Sequence, residues 1–477
     1  MFSSELWQKS GVSTYSIDQS IRFDWASITS GSYMHKTYSG AGDRTSWTWS
    51  CWFKLGSLNG FTTASNYYYA LFSCDSSTSD AGRGMLLIIA DSGVEDAIKI
   101  QFQGHSTVFL KTTRQFRDPS AWYHITLVWD SDNSMASERA RLYINGQRET
   151  SFTTQNNPTS GQEIGINLAA EHRIGGTKNL SSSALNYPWD GYMADIHFLD
   201  GYSYGPEYFG ETTSNGLWIP KEYDGSYGSN GFKIDGRDSS DLGDDESGRG
   251  NDYTTSGHAA HDQVLDSPTN NFAVYNVLYN VGDVDLPTYS ESNLSVDFNY
   301  FGKRSPVSTF ALPTDSDAYC EFYIKTSASS AHNSGVGIGQ GDANNAGNVA
   351  LTNGVTYNFN GYKHTGDGTA TTFGNTYTAG DIIGVYFDQS DNEVDFYKNN
   401  TLEGSLSLSS YSGDLFFLVA NNTTSQQVIV ANFGQDDTFA GNKTSGSAGA
   451  SDSSGNGKFY YTRISGAKAL CSKSLGS

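Results

Sequence analysis

The fold is decided by two neighbouring stretches of the sequence, residues 122–129 (WYHITLVW) and residues 141–145 (RLYIN). Both are rich in aromatic and β-branched residues, which favour β-strands. The second stretch runs into Asn145-Gly146, and this dipeptide favours a tight hairpin because a type I′ turn needs a positive φ at both central positions. Strands joined by such turns predict an antiparallel sheet.

The same pattern extends on both sides of this pair. Residues 84–90 form a continuous apolar run, which suits a strand buried on both faces, and residues 98–102 alternate between apolar and polar. Residues 193–199 alternate again, and a second strand-rich region spans residues 294–439. No stretch has a helical period with caps. We therefore predict an all-β fold with two antiparallel, jelly-roll-like β-sandwich domains.

Composition excludes several classes of protein. The chain has 477 residues, with 26 Phe, 9 Trp and 30 Tyr, so a disordered chain is excluded. Its net charge of −22 argues against nucleic-acid binding, because phosphate contacts need clustered cations. Four scattered cysteines predict buried free thiols rather than a disulfide scaffold.

Targeting signals are not found. The opening residues 1–10 contain no apolar run, so we expect no secretory signal and synthesis in a cytoplasm. The longest apolar stretch, residues 85–90, is too short to span a bilayer, and no membrane insertion is expected.

The predicted organisation has five parts: an N-terminal segment and possible anchor (1–19), a first sandwich (20–201), an irregular acidic connector (202–293), a second sandwich (294–439) and a tail (440–477). The connector is rich in Gly, Ser, Asp and Asn, and residues 235–252 hold seven acids against two Arg. A short pattern, D-x-S-G-x-G-x-x-Y, occurs at residues 245–253 and again at 452–460. Chance and a reused connector are both open explanations.

The first region resembles the laminin-G-like, concanavalin-A-like jelly roll over about residues 20–200. The residues that carry this resemblance are 20–23 (SIRF), 49–54 (WSCWFK), 122–130, 141–146, 174–176 (IGG) and 189–196 (WDGYMADI).

The second region resembles a SPRY domain over residues 294–439. It does so at residues 319–324, 335–339 (GVGIG), 377–385 (YTAGDIIGV), 394–399 (VDFYKN) and 430–435 (VANFGQ). Asn400 departs from the family, which usually has Gly there.

The combination resembles virion structural proteins of marine tailed bacteriophages, through residues 1–7 (MFSSELW), 266–272 (DSPTNNF) and 469–471 (ALC). This resemblance implies synthesis in an infected bacterium and assembly into a virion. The partners it implies are other virion proteins, further copies of the chain in a homotrimer, and a host surface glycan or protein.

Catalysis is not expected. Glucanases with such a jelly roll carry E-x-D-x-E on one strand, and this pattern is missing. Asp130 and Asp132 come close, but they follow Trp129, where a turn is expected. There is no G-x-S-x-G elbow. His124 and His197 alternate with apolar neighbours, which predicts half-exposed strand positions.

Binding residues can be proposed at three places. Asp130, Asp132 and Asp190 lie near predicted strand ends and are candidate calcium ligands, with solvated surface acids as the alternative. Tyr67, Tyr68 and Tyr69 form either a binding loop or the start of a strand whose alternate ring packs inside. His364 and Thr365 are candidate loop contacts for a host surface.

The leading hypothesis is a non-catalytic virion structural protein, in a tail fibre, spike or appendage, that acts in assembly and host attachment. The alternatives are a head-decoration protein, a virion-associated polysaccharide depolymerase, and a sugar- or calcium-dependent adhesion protein not tied to a virus.

Overall fold

The computed structural model describes residues 15–27, 29–56, 67–90, 98–278, 287–298, 305–327, 334–344, 352–366, 369–421, 426–446, 450–462 and 466–475. Over these residues the chain forms strands, short 3-10 turns and loops, with no α-helix. None of them therefore builds a helix that could cross a membrane. The strands belong to two units, Lys9–Thr269 and a second unit that contains Asn270–Ser477.

The strands of the N-terminal unit are β1 (Ser20–Phe23), β2 (Trp25–Ser27), β3 (Ser30–Gly31), β4 (Tyr33–Thr37), β5 (Ser46–Leu55), β6 (Tyr67–Asp75), β7 (Arg83–Ala90), β8 (Ile98–Gln103), β9 (Val108–Thr112), β10 (Trp122–Asp130), β11 (Ala140–Ile144), β12 (Gln147–Arg148), β13 (Phe152–Gln155), β14 (Glu171–Ile174), β15 (Thr177–Lys178), β16 (Leu185–Asn186), β17 (Gly191–Asp200), β18 (Gly210–Thr212), β19 (Trp218–Pro220), β20 (Phe232–Ile234), β21 (Thr254–Ser256) and β22 (Gln263–Val264).

Two antiparallel sheets build this unit. The first has the order β12-β11-β10-β5-β17-β1-β22, with β20 also paired to β17, and the second has the order β13-β9-β8-β7-β6-β14-β4-β21. Trp47 and Phe53 of the first sheet and Leu86 and Ile88 of the second share one buried core. The sheets therefore pack as a β-sandwich, and the predicted fold class is confirmed.

The predicted hairpin is present between β11 and β12. Ile144 pairs with Gln147, so only Asn145 and Gly146 form the turn. Their φ values are +48° and +73°, as a type I′ turn requires. The dipeptide thus sets the register of these two strands.

The strands of the C-terminal unit are β23 (Thr288–Ser290), β24 (Ser295–Phe298), β25 (Ala318–Thr326), β26 (Gly335–Asn344), β27 (Thr352–Asn358), β28 (Tyr362–Thr365), β29 (Thr369–Thr372), β30 (Ile382–Asp388), β31 (Glu393–Lys398), β32 (Thr401–Ser407), β33 (Leu415–Ala420) and β34 (Gln427–Asn432). They form two antiparallel sheets, β23-β24-β34-β25-β30-β31-β32 and β29-β28-β27-β26-β33. Phe322 and Val385 of one sheet share a buried core with Val336 and Phe417 of the other.

The predicted connector is corrected by the structure. Residues 202–269 supply β18 to β22 to the N-terminal unit, and Ile234 of β20 pairs with Ile196 of β17. Residues 270–293 belong to the C-terminal unit, where Ala273 and Tyr275 join the core. The segment 202–269 covers the polar outer face of the first sheet with scattered apolar residues. Because these residues follow no regular period, the sequence pattern did not indicate that the segment belongs to this unit.

The predicted tail is corrected in the same way. Phe459, Ala469 and Leu470 are buried in the C-terminal unit, and the backbone N–H of Ala273 donates to the carbonyl of Leu470 at 2.9 Å. Of the predicted N-terminal segment, residues 1–14 lie outside the described residues. Ile17 is buried in the N-terminal unit.

The four cysteines are all buried and unpaired, which confirms the prediction of free thiols.

Candidate functional site

The structure places Asp130 and Asp132 at one end of the first sheet and Asp190 at the other end. Asp130 ends β10, where its carboxylate accepts a hydrogen bond from Nδ2 of Asn133 at 2.9 Å and lies 3.7 Å from Nη2 of Arg141. Asp132 lies in the following turn, and Asp190 precedes β17. Among the described residues, no three His, Cys, Asp or Glu side chains are grouped to hold a metal.

The tyrosine triplet starts β6 and does not form a loop. Tyr69 is 4 % exposed and belongs to the core, and Tyr67 packs against the same core. Tyr68 lies on the other face, where its ring centroid is 5.0 Å from that of Tyr187. These residues therefore match the second expectation, a strand start in which the alternate ring packs inside.

The two candidate contacts of the C-terminal unit also lie on a strand. His364 is buried in β28 and pairs with Thr356, and Thr365 pairs with Val355 and Thr369. They therefore do not form an exposed loop. The next residues, 367 and 368, lie outside the described part of the chain.

The prediction that His124 is half-exposed is wrong, because the segment 202–269 covers it. His124 is 1 % exposed. Nε1 of Trp218 donates to its Nδ1 at 3.1 Å, and its Nε2 lies 2.9 Å from Oγ of Ser50. Burial lowers the pKa of His124 to about 3, so its ring is neutral.

His197 is equally buried, beside a bulge in β17 where the register to β5 shifts. The bulge holds Asp195 at φ +50°. One carboxylate oxygen of Asp195 accepts the hydroxyl of Tyr15 at 2.8 Å and lies 3.1 Å from Nε2 of His197. Burial alone would raise the pKa of Asp195, but His197, Lys233 and Tyr15 lower it to about 2.

These buried polar groups hold the covering segment onto the first sheet. His124 contacts Trp218 of β19, and Nδ1 of His197 lies 2.9 Å from the hydroxyl of Tyr227. Since they are enclosed, they position the cover rather than meet a substrate.

The outer side of this cover carries the strongest candidate site, which we call the tyrosine surface: Tyr202, Tyr204 and Tyr208. The ring centroids of Tyr202 and Tyr204 are 5.3 Å apart, and those of Tyr204 and Tyr208 are 4.2 Å apart with an angle of 10° between the planes. Tyr208 is 39 % exposed. Stacked phenol rings that reach solvent are typical of binding surfaces.

The backbone beneath these rings is anchored to the first sheet. Oγ1 of Thr48 donates to the carbonyl of Tyr202 and accepts the N–H of Tyr204, each at 2.9 Å. Nη2 of Arg141 donates to the carbonyl of Ser203 at 3.3 Å. The ring positions are therefore fixed by strands β5 and β11.

The surroundings of the tyrosine surface are aromatic beneath the rings and polar at their edge. Tyr223 lies beneath Tyr208, with their ring centroids 6.4 Å apart. Burial raises the pKa of Tyr223, and the neighbouring phenols raise it further. Glu207 and Lys221 are exposed beside the rings, and Nζ of Lys221 donates to the carbonyl of Glu207 at 3.1 Å. The surface offers aromatic rings with a polar border.

Sequence reasoning missed this site because it treated residues 202–293 as a connector. The available signal was the spacing Y-S-Y-G-P-E-Y over residues 202–208. Three tyrosines in seven residues, next to Gly and Pro, indicate a turn that presents aromatic rings.

A known family model matches the first sandwich. The family model described as the concanavalin A-like lectin/glucanases superfamily (Laminin_G_3) matches residues 29–202. This confirms the resemblance of the first sandwich to that superfamily. A search of curated proteins found no match.

Several solved structures are similar to parts of the chain. A heptameric SAP-like pentraxin from Limulus polyphemus is 19 % identical over 40 % of this chain and 79 % of its own, with a TM-score of 0.29. A human SPRY domain is 19 % identical over 29 % of this chain and 90 % of its own, with a TM-score of 0.24. A Bacteroides ovatus protein, provisionally assigned to carbohydrate binding, is 16 % identical over 51 % of this chain and 59 % of its own, with a TM-score of 0.32. At these scores the likenesses carry no argument about function.

Proposed function

We propose that the chain is a non-catalytic structural protein of a tailed-phage virion, and that it attaches the particle to a glycan or protein of the host surface. The observation that carries the attachment role is the tyrosine surface, three neighbouring phenol rings, two of them stacked, held at the outside of the N-terminal unit. The match of residues 29–202 to a lectin-containing superfamily supports a binding role.

The use of the buried acids supports the absence of catalysis. Glycoside hydrolysis needs two carboxylates that flank the scissile bond, about 5–10 Å apart. Asp266 is instead paired with Lys54 at 2.7 Å, and Asp262 is paired with Arg22 at 3.2 Å. Each of these acids is committed to the fold.

The place in the particle follows from the resemblance to virion proteins. We propose a tail fibre, spike or appendage, with other virion proteins and further copies of the chain as partners. A symmetric trimer is the expected assembly, since virion fibres are commonly homo-oligomers. Sedimentation of the purified chain measures this directly.

Competition for host cells tests the function. Purified chain in excess should lower the rate at which virions adsorb, and an equal concentration of serum albumin should leave that rate unchanged. Antibodies against the chain should label purified virions. Unlabelled virions, or adsorption unaffected by saturating chain, would contradict the proposal.

A further inference from the structure

We infer that the tyrosine surface binds the pyranose rings of a neutral glycan. This inference rests on the proposed function and names the ligand class of that site. The tyrosine surface begins at Tyr202, where the superfamily match ends, so most of the site lies outside the matched segment.

The exposed part of the tyrosine surface is an aromatic ring with polar neighbours. Tyr208 is the one large aromatic among the exposed apolar side chains of the described residues. The C–H face of a pyranose ring is apolar and its rim is polar, and a phenol ring with polar neighbours complements both. Glu207, next to Tyr208 in the chain, and Lys221, which donates to the carbonyl of Glu207, are exposed and of this polar kind.

The charged residues around the tyrosine surface favour a glycan over a protein partner. The centre of a protein interface is depleted in charged residues and built from clustered large side chains. Here Glu207, Lys221, Glu222 and Asp224 are exposed within the same covering segment. A border of this kind suits the hydroxyl groups of a sugar better than an apolar protein core.

The tyrosine surface is held in place before any ligand binds. Tyr204 stacks on Tyr208, and Thr48 and Arg141 fix the backbone that carries the rings. A ligand that binds to a fixed surface loses less free energy to side-chain ordering. This matters for sugars, whose contacts are individually weak.

The charge indicates a neutral glycan. Eight of the eleven exposed charged residues in the covering segment are acids, and the chain carries a net charge of −22. An anionic sugar would be repelled from such a surface. A neutral hexopyranoside is therefore expected to bind more tightly than the corresponding uronic acid.

Saturation-transfer NMR on the full chain tests the inference. The probes are methyl glycosides of the common neutral hexopyranoses at millimolar concentration, with methyl glucuronide as the charged counterpart of methyl glucoside. We expect transfer from the protein to the ring protons of at least one neutral probe, and weaker transfer to the glucuronide.

Variants then assign the site. Tyr208→Ala should weaken binding of that probe about tenfold, whereas Tyr208→Phe should keep most of it because the ring remains. Met135→Ala removes another exposed side chain of the same unit and should have no effect. An unchanged circular dichroism spectrum confirms that the variants fold.

The outcomes separate the inference from the proposed function. If the chain blocks virion adsorption but no neutral probe shows transfer, or Tyr208→Ala binds normally, the inference fails and the attachment role stands. If adsorption is blocked equally on cells whose glycans have been oxidised with periodate, the partner is a protein and the inference also fails. If the chain neither labels virions nor blocks adsorption, the proposed function fails.

Discussion

At the residue scale, the most demanding interaction is the ion pair between Lys54 and Asp266. Both side chains are fully buried, 2.7 Å apart, and Nε1 of Trp122 donates to the second oxygen of Asp266 at 2.9 Å. Burial lowers the pKa of Lys54, while Asp266 opposes that shift. Removing one partner leaves the other charge unpaired in the interior, which costs far more than losing a surface pair.

We therefore predict that Asp266→Asn destabilises the N-terminal unit by about 3–5 kcal/mol. Tryptophan fluorescence during denaturant unfolding measures the change. The matched control is Glu138→Gln, which breaks an exposed pair with Arg148 and should cost less than about 1 kcal/mol. Similar losses from the two substitutions would show that the buried pair is not what holds residues 262–269 to the sheet.

Glu321 is the second buried charge with a measurable consequence. It is fully buried in β25, and its carboxylate accepts the backbone N–H groups of Tyr460 and Tyr461 at 2.7 and 3.0 Å. Burial raises its pKa from 4.5 to about 7, against the effect of these hydrogen bonds. Between pH 4.5 and about pH 7, the folded state therefore keeps a proton on Glu321 that the unfolded state has already lost.

The contribution of Glu321 to the stability of the C-terminal unit should therefore be fully present below about pH 4.5. It should be lost as the pH rises through about 7. The full loss is on the order of 3 kcal/mol. Glu321→Gln keeps a hydrogen-bond acceptor and removes the titration, so its unfolding free energy should change less between pH 5 and 8. A wild-type profile parallel to that of the variant would contradict the assignment.

Single residues also show what sequence can and cannot give. Alternation left a binding loop and a strand start open for the Tyr67–Tyr69 triplet, and the structure has the strand start, with Tyr69 in the core. It failed for His124 and His197, since the outer face of a sheet looks the same in sequence whether water or another segment covers it. The covering segment itself has no period to reveal it.

At the element scale, the repeated pattern D-x-S-G-x-G-x-x-Y forms an Asp-centred loop in each unit. Asp245 accepts the N–H groups of Lys233, Ser247 and Asn251, and Asp452 accepts those of Asn456, Gly457 and Ala469. The fourth position is left-handed in both copies, with φ of +75° at Gly248 and +73° at Gly455. Each loop is packed within its own unit, so neither is a connector.

Two glycines of the second loop should respond differently to alanine. Gly455 has open space around a built Cβ atom, so Gly455→Ala meets only the backbone strain of its positive φ, about 1 kcal/mol. A Cβ at Gly457 would lie 2.3 Å from that of Ala469, so Gly457→Ala should cost about 2–3 kcal/mol. Denaturant unfolding of both variants measures the order, and a larger loss at Gly455 would contradict the packing described for this loop.

At the scale of the whole molecule, the chain divides between Thr269 and Asn270, and the sequence alone misplaced that division. The two sandwiches could be predicted because their strands carry strong apolar patterns and tight turns. The segment 202–269 could not, because its contribution to the fold comes from isolated apolar residues and buried ion pairs far apart in sequence.

This division predicts the behaviour of two fragments. Residues 9–269 should unfold cooperatively, because they contain both β20 and β22 and the acid that pairs with Lys54. Residues 9–201 should aggregate or unfold at much lower denaturant concentration, because His124, His197 and Lys54 lose their cover. Circular dichroism during denaturant unfolding compares them, and equal stability would mean that residues 202–269 do not complete the unit.

We propose that the chain attaches a virion to a surface through the outside of its N-terminal unit. A cryo-electron density map of virions that contain the chain tests this most directly. We predict chains that project outward in a symmetric assembly, with Tyr202, Tyr204 and Tyr208 facing solvent. Chains that lie flat on the capsid with the tyrosine surface buried against other virion proteins would contradict the attachment role and would assign the chain to head decoration.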